Sequence, residues 1–222
     1  MTTVVNESNP SIHRTALIHE NVLLGEGATV GPYAIVGEPP RNAQSRELQT
    51  IIGPNAIIRS HAVIYAGNKI GLNFQTGHTV NIRENNIIGN DVSIGTHSII
   101  EHHVIIQDDV RIHSGVFIPE FSTLEKGCWI GPHVVLTNAL HPLCPDVMKC
   151  MKGPTIGKGS KIGANVTILP DVVIGEMSLI GAGSVVVTDI EPYVVASGNP
   201  ARTIKRIEDL TCRYQFRDHP YT

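Results

Sequence analysis

Residues 82–112 read IRENNI IGNDVS IGTHSI IEHHVI IQDDVR I, so an aliphatic residue returns at every sixth position. We call each such residue a hexad start. The complete set is Ile12, Ile18, Leu24, Val30, Val36, then Ile52, Ile58, Ile64, Ile70, Ile82, Ile88, Ile94, Ile100, Ile106, Ile112, Ile118, Leu124, Ile130, Leu136, and finally Ile156, Ile162, Ile168, Ile174, Ile180 and Val186. A period of six fits neither an α-helix nor a simple amphipathic strand, and it is typical of a solenoid whose stacked repeats share one core.

A second position of the hexad also follows a rule. The residue four places after a hexad start is usually small or β-branched, as at Ala28, Ala34, Ala56, Ala62, Val92, Ser98, Val104, Val110, Val166, Val172, Ser178 and Ser184. Glycine often follows the hexad start directly, and Asn, Asp or Gly comes soon after, which are residues that tolerate the backbone angles of tight corners. We therefore expect two inward-facing positions and one corner in each hexad.

Three hexads per coil would form a triangular prism in which residues eighteen apart, such as Ile52, Ile70 and Ile88, stack in one column. Neighbouring coils would then pair as parallel strands. The hexad starts predict an all-β parallel β-helix of eight to nine coils over residues 1–191. Residues 192–222 are expected to form a C-terminal extension, with a short helix between Thr203 and Leu210 followed by a tail.

The composition restricts the class of function. The chain has 222 residues and a formal net charge of -3, so a nucleic-acid partner is not expected. No apolar run has the length of a membrane span and the first ten residues are polar, which predicts a cytoplasmic protein without a membrane partner. Four cysteines in a chain of this length do not indicate a disulfide framework.

Two segments interrupt the hexads, and the register resumes after each. Residues 36–51 read VGEPPRNAQSRELQTI, and residues 136–156 read LTNALHPLCPDVMKCMKGPTI. We interpret them as loops, over 37–51 and 137–155, extruded from an intact prism, and loops on rigid scaffolds often carry function. Thr76 is the one interruption within the central tract, and we expect an outward bulge there, between Asn73 and His78.

The segment from Ile130 to Ile207 supports a family resemblance. It contains IGPHVVLTNALHPL, then PTIGKGSKIGANVTILPDVVIGEMSLIGAGSVVVTDI, and ends in EPYVVASGNPARTIKRI with its Gly-Asn-Pro-Ala-Arg motif. This segment resembles the hexapeptide-repeat acyltransferases, in particular sugar O-acetyltransferases and nucleotide-sugar N-acetyltransferases. The resemblance implies a left-handed β-helix, a homotrimer with intersubunit active sites, and acetyl-CoA as co-substrate without a required metal.

The resemblance also implies roles for particular residues. The His-Pro pair places His141 at the position of the catalytic base, and the Thr-Asn-Ala-Leu-His-Pro context adds Asn138 to the catalytic set. Small residues that resemble those lining the cofactor channel are Gly163, Ala164, Gly181 and Ala182. Arg202, Lys205 and also Lys161 resemble the basic residues that face the phosphates of coenzyme A.

The acceptor is expected to be an amino group on a nucleotide-linked sugar. Relatives that acetylate hydroxyl groups carry an asparagine where this register holds Arg111, and this departure favours an amine. Arg41 and Arg46 of the first loop would meet a diphosphate. Further residues expected to line the acceptor cleft are Asn81, Glu101, His102 and His113.

Several alternatives remain open from the sequence. The chain could be an O-acetyltransferase acting on a free sugar or a serine-like alcohol, a non-enzymatic solenoid scaffold, or a zinc enzyme resembling the carbonic anhydrases. Cys144, Cys150 and Cys212 lie outside the repeat and could bind zinc, although ordinary thiols fit the spacing better. Cys128 occupies the small inward position and is expected to be structural, whereas Phe117 and Trp129 point outward as possible subunit contacts.

Overall fold

The computed structural model describes residues 9–41, 43 and 48–221. Its first strands are β1 (Ser11–Ile12), β2 (Leu17–Ile18), β3 (Val22–Leu24), β4 (Thr29–Val30), β5 (Ile35–Glu38), β6 (Thr50–Ile52), β7 (Ile57–Ile58), β8 (Val63–Tyr65), β9 (Lys69–Ile70), β10 (Gln75–Thr76), β11 (Asn81–Ile82), β12 (Ile87–Ile88), β13 (Ser93–Ile94) and β14 (Ile99–Ile100). They are followed by β15 (Ile105–Ile106), β16 (Arg111–Ile112), β17 (Phe117–Ile118), β18 (Thr123–Leu124), β19 (Trp129–Ile130), β20 (Val135–Leu136), the helix α1 (Val147–Cys150), β21 (Thr155–Ile156), β22 (Lys161–Ile162), β23 (Thr167–Ile168), β24 (Val173–Ile174), β25 (Leu179–Ile180), β26 (Val185–Val186), β27 (Val194–Gly198) and β28 (Ala201–Arg206).

Every third strand joins the same sheet, so the chain winds around a three-sided prism. Sheet A contains β1 and each third strand through β25, then β27 and β28; sheet B runs from β2 to β26, and sheet C from β3 to β24. Strands of neighbouring coils pair in parallel, and Ile70 pairs with both Ile52 and Ile88 as the eighteen-residue columns predict. The β-helix is therefore confirmed.

The core of the prism consists of the two inward positions of each hexad. Hexad starts such as Ile64, Ile82 and Ile100 are fully buried, and so are the residues four places later, such as Ala62 and Val104. Burial of one such aliphatic side chain stabilises the fold by roughly 1.5–3 kcal/mol. The core extends along the prism and is mainly apolar, with buried polar residues such as Asn68, Asn86 and Ser98 at some of the second inward positions.

Thr76 does not lie in a bulge, so that prediction is wrong. Gln75 and Thr76 pair in register with Ser93 and Ile94, and Thr76 is buried with 3% of its surface exposed. Phe74, the largest fully buried side chain, occupies the inward position that is small in other hexads. Two neighbouring core positions thus hold one side chain larger and one smaller than the usual residue, and close-packed cores conserve total volume.

The C-terminal part of the prism differs from the sequence prediction. The chain does not leave the prism after Val186, because β27 pairs in parallel with β25 and adds a tenth level to sheet A. The helix expected between Thr203 and Leu210 is reduced to a single 3-10 turn, Ile207–Asp209, since β28 folds back antiparallel onto β27. In the described chain no helix has the length and apolar character needed to cross a bilayer.

Candidate functional site

Both long loops leave the prism at the same edge. The first follows β5 and precedes β6, and the second follows β20 and precedes β21, so each connects sheet B to sheet C. We call this edge the BC corner. The two loops are five coils apart, which corresponds to about 24 Å at the usual strand spacing. Each interruption of the hexads therefore falls between a sheet B strand and a sheet C strand, and residues 42 and 44–47 of the first one lie outside the described residues.

The second loop presents His141 to solvent. The side chain of His141 is exposed and has no hydrogen-bond partner among the residues described, while its backbone carbonyl accepts from Cys144 N–H at 3.2 Å. The loop is closed at its root by a backbone hydrogen bond of 2.9 Å from Lys152 N–H to the Asn138 carbonyl. A short helix, Val147–Cys150, forms its far side. His141 is thus accessible on a loop whose two ends are held together.

A polar network runs along the BC corner and ends at the root of this loop. The Asn138 side-chain amide donates to Glu120 Oε2 at 2.7 Å, and His102 Nε2 lies 3.6 Å from Glu120 Oε1. Two coils further toward the N-terminus, Arg83 donates to both Glu84 oxygens at 2.9 and 3.0 Å and lies 3.5 Å from Glu101 Oε2. We call the set Arg83, Glu84, Glu101, His102, Glu120 and Asn138 the corner ladder.

The corner ladder is net negative. With His102 neutral, its three carboxylates outnumber its one guanidinium. Burial would raise the pKa of Glu84, but hydrogen bonds from Arg83 and from the backbone hold that pKa below its ordinary value. Burial and the neighbouring Glu120 raise the pKa of Glu101. A positively charged or hydrogen-bond-donating group fits this corner better than an anion does.

Arg41 lies at the N-terminal end of the same corner. With Pro39, Tyr65 and Arg83 it lines a cavity of about 580 Å³, and the Arg83 guanidinium stands 5.0 Å from the centre of the Tyr65 ring. Arg46 lies outside the described residues. The structure thus brings Arg41 and Glu101 to one edge of the prism.

Two other residues expected at the intersubunit acceptor cleft, Asn81 and His113, lie on other parts of the prism surface than Arg41 and Glu101 do. Asn81 is on the outer face of sheet B, and its Oδ1 is buried without a hydrogen-bond partner. His113 follows β16 at the corner between sheets A and B, the AB corner, where its ring packs 4.6 Å from the Trp129 ring. Burial and the nearby Arg111 lower the pKa of His113, and its Nε2 is also buried without a partner. Within a single chain, Asn81, Glu101 and His113 therefore do not lie close together.

The small residues expected at the cofactor channel line the AB corner. Gly163 and Ala164 follow β22, and Gly181 and Ala182 follow β25 one coil later. A Cβ on Gly163 would lie 2.5 Å from the backbone nitrogen of Ala182, and one on Gly181 would lie 2.6 Å from Ser197 Oγ. These glycines are therefore required for the close stacking of coils, whatever else approaches them.

The basic side chains predicted to face the phosphates of coenzyme A lie in different environments. Arg202 and Lys205 are exposed on β28 at the C-terminal end of sheet A. Lys161 lies on the outer face of sheet A, where its Nζ is 4.6 Å from the centre of the Tyr221 ring. Burial lowers the pKa of Lys161. Arg202 and Lys205 are thus available to an anionic ligand, whereas the C-terminal tail covers Lys161.

The cysteines are spread over the core, the second loop and the tail. Within the described ranges the structure places no group of three or more His, Cys, Asp or Glu side chains in a metal-binding arrangement. All four cysteines are free thiols. Cys128 is fully buried, and burial raises its pKa to about 12, in keeping with the structural role expected for it.

Sequence reasoning missed Glu84 and Glu120 as parts of the site. The signal was present, because residues 84, 102, 120 and 138 are each eighteen apart and all follow a sheet B strand by two positions. Eighteen residues are one coil, so these side chains form one column. From the sequence alone, this spacing predicts that Asn138 and Glu120 are neighbours in successive coils.

Comparison with known proteins identifies the repeat. Residues 153–188 match the family model described as bacterial transferase hexapeptide (six repeats), and residues 85–119 match the hexapeptide repeat of succinyl-transferase. In its overall fold the chain is similar to UDP-N-acetylglucosamine acyltransferase from Campylobacter jejuni, with a TM-score of 0.67 and 19% identity over 88% of this chain and 75% of that one. At this level of identity the structural likeness concerns the fold alone.

Two curated relatives share more of the sequence. Galactoside O-acetyltransferase of Escherichia coli is 36% identical over 135 residues, covering 59% of this chain and 62% of that protein. Galactoside O-acetyltransferase of Lactococcus lactis is 34% identical over 128 residues, covering 56% of this chain and 57% of that protein. The chain thus spans about three fifths of the length of these relatives.

Proposed function

The chain belongs to the hexapeptide-repeat family of left-handed β-helix acyltransferases, and on that basis we propose that it transfers an acetyl group from acetyl-CoA to a small acceptor. The observation that carries this proposal is the exposed imidazole of His141 on a loop held at its root by the Asn138–Glu120 hydrogen bond. A histidine in such a position can accept the proton of an attacking hydroxyl or amine at neutral pH.

The co-substrate would occupy the AB corner. At Gly163, Ala164, Gly181 and Ala182 no long side chain would block a narrow chain such as pantetheine along this corner, and the exposed Arg202 and Lys205 complement phosphate groups. Acetyl-CoA supplies the activated thioester. His141 then needs only to remove the acceptor proton, so a direct transfer without an acyl-enzyme is the simplest mechanism.

The separation of the two corners supports a homotrimer. His141 emerges at one edge of sheet B, whereas Gly163 and Gly181 line the other edge. Exposed apolar side chains lie between these edges, among them Leu17, Ile99 and Val135 at 51%, 39% and 38% exposure. A second protomer that covers this face could bring its own loop to the AB corner, which would complete an active site between subunits.

The acceptor follows from the charge of the corner ladder. Its excess of carboxylates favours an amine, and Arg41 stands where a diphosphate could be held, which together fit an amino sugar linked to a nucleotide. O-acetylation of a sugar hydroxyl is the second candidate, and the similarity to two galactoside O-acetyltransferases favours it. We include a cytoplasmic location in the proposal, since free thiols suit a reducing compartment.

The test is an acetyl-transfer assay of the purified chain. Release of coenzyme A would be followed with acetyl-CoA and matched acceptors: a nucleotide-linked amino sugar, the corresponding free amino sugar, a galactoside and serine. Turnover of the amino sugars supports N-acetylation, and turnover of the galactoside supports O-acetylation. No release of coenzyme A above the hydrolytic background with any acceptor, from a preparation that is trimeric by light scattering, would contradict the proposal.

A further inference from the structure

We propose that the AB corner of the first four coils binds a phosphoryl group of a small anionic ligand. The site is a groove of about 600 Å³. We call it the basic groove, and the polar side chains that line it are those of Ser11, His13, Arg14, Thr29, Arg59, Ser60 and His78. None of these residues belongs to the corner ladder or to the second loop, which lie at the other edge of sheet B.

Three successive coils contribute to the groove at the same position. His13, Gly31 and Arg59 each follow a sheet A strand directly, because Ile12 pairs with Val30 and Val30 pairs with Ile58. A Cβ on Gly31 would lie 3.0 Å from the backbone nitrogen of Ser60, so the middle coil stacks closely on the next one and carries no side chain here. The long side chains at this position therefore come from His13 and Arg59.

The charge of the groove is one-sided. Its lining contains two arginines and two histidines and no Asp or Glu. Neither Arg14 nor Arg59 forms an ion pair with any residue that the structure describes, in contrast to Arg83 of the corner ladder. The whole chain has a net charge of -3, so this positive concentration is local. Unpaired guanidinium groups in a concave surface attract anions, and they match phosphate oxygens in geometry.

The side chains of the groove are oriented by neighbouring hydroxyl groups. His78 Nδ1 lies 2.7 Å from Ser60 Oγ, and His13 Nδ1 lies 3.0 Å from Thr15 Oγ1. With Nδ1 engaged, each ring keeps its Nε2 for another partner. Two oriented imidazoles and two exposed guanidinium groups therefore line one space.

Thr76, the one exception among the central hexad starts, supports the groove from inside the prism. The backbone N–H of Arg59 donates to the Thr76 side chain, at Oγ1, over 2.9 Å. One coil later the equivalent N–H, that of Gly77, donates instead to the backbone carbonyl of Ile94 at 2.6 Å. An aliphatic residue at position 76 could not accept this bond through its side chain. The hydroxyl of Thr76 thus sets the backbone at Arg59.

The groove lies on the same corner as the proposed binding site for acetyl-CoA. From Arg59, after β7, to Gly163, after β22, is five coils, or about 24 Å. A free phosphorylated molecule could bind in the groove, and so could the diphosphate of an extended acceptor. Binding of an acceptor's diphosphate rests on the proposed function, whereas the presence of a phosphoryl site in the groove does not.

Calorimetric titration tests the groove directly. The full-length protein, without acetyl-CoA, would be titrated with inorganic phosphate, pyrophosphate and uridine diphosphate at fixed ionic strength. We expect the double variant Arg14→Gln/Arg59→Gln to weaken pyrophosphate binding by at least about tenfold, since each substitution removes a charged contact. The matched control, Arg213→Gln/Arg217→Gln, removes the same charge from the exposed C-terminal tail and should bind as the wild type does.

The titrations distinguish specific phosphoryl binding from unspecific attraction of anions. Equal weakening in both double variants would mean unspecific attraction and would overturn the proposal, as would an absence of binding to the wild-type chain. Tighter binding of uridine diphosphate than of pyrophosphate would assign the phosphoryl group to a nucleotide, and equal binding would assign it to phosphate alone. Because no acetyl transfer is measured, the groove can fail while the acyltransferase proposal stands, and the reverse is also true.

Discussion

Glu120 accepts a hydrogen bond of 2.7 Å from the side-chain amide of Asn138, which lies one coil further along the BC corner. Asn138 is three residues before His141, so this contact fixes the point at which the second loop leaves the prism. Glu120 in turn faces His102 through its other oxygen, at 3.6 Å. The position of the loop therefore depends on a side chain that the hexad pattern alone does not mark.

Removal of this contact should lower turnover. We expect Glu120→Ala to reduce kcat by roughly tenfold, because a small displacement of a catalytic group has a large effect on rate. Glu120→Gln retains an oxygen that can accept from Asn138 and should keep most of the activity. Steady-state kinetics would show the change in kcat with little change in KM for acetyl-CoA, which we propose to bind at the AB corner. A Glu120→Ala variant with wild-type kcat would refute this positioning role.

Replacement of the proposed base has a larger expected effect. His141→Ala should lower kcat by about 10²- to 10⁴-fold, the usual contribution of a general base. The side chain is exposed, so the unfolding temperature should not change. Met148→Ala, in the same loop and 70% exposed, serves as the control for disturbance of the loop. Similar losses in the two variants would argue against a specific role for His141.

Phe74 and Thr76 should be energetically coupled. Phe74→Ala is expected to lower the free energy of unfolding by about 3–5 kcal/mol, and Thr76→Ile alone by about 1–3 kcal/mol through overpacking. The double variant should lose less than the sum, since the larger isoleucine extends into the space left by the ring. Urea unfolding of the four proteins gives the coupling energy. Strict additivity would mean that the two side chains do not compensate each other.

Gly163 should prove structural even in the absence of cofactor. A Cβ at this position lies 2.5 Å from the backbone nitrogen of Ala182, so Gly163→Val must separate two coils. We expect a loss of about 1–3 kcal/mol in unfolding free energy without any ligand. Ala182→Ser, at an exposed position of the same corner, is the control and should be neutral. If Gly163 served the cofactor alone, the stability of the ligand-free variant would match the wild type.

His113 should make stability depend on pH. Burial and Arg111 lower its pKa from the ordinary 6.5, so the unfolded chain binds the proton more readily than the folded chain does. The wild type should therefore lose stability as the pH falls below about 6.5, until the folded-state pKa is passed. His113→Gln does not titrate. Urea unfolding from pH 7.5 downward should show the wild type losing stability relative to this variant, and parallel curves would contradict the assignment.

The site was less predictable than the fold, for a physical reason. The exposed second loop and its His141 follow from an interruption and a short motif, and both are local features. The sequence predicted that Asn81, Glu101 and His113 line one acceptor cleft. In the chain they lie on sheet B, at the BC corner and at the AB corner, respectively. Side chains on different sides of a prism can meet only through a second molecule, and no local pattern reports that.

The hexad period by itself determined the prism, its stacked columns and the edge from which both loops emerge. This was possible because each repeat contacts only its neighbours, so spacing along the chain translates directly into position in space. Only the tertiary structure decided that Phe74 and Thr76 are both buried, why Gly163 must lack a side chain, and that β28 folds back where a helix was expected. Those features depend on volumes and hydrogen bonds between coils, which periodicity does not encode.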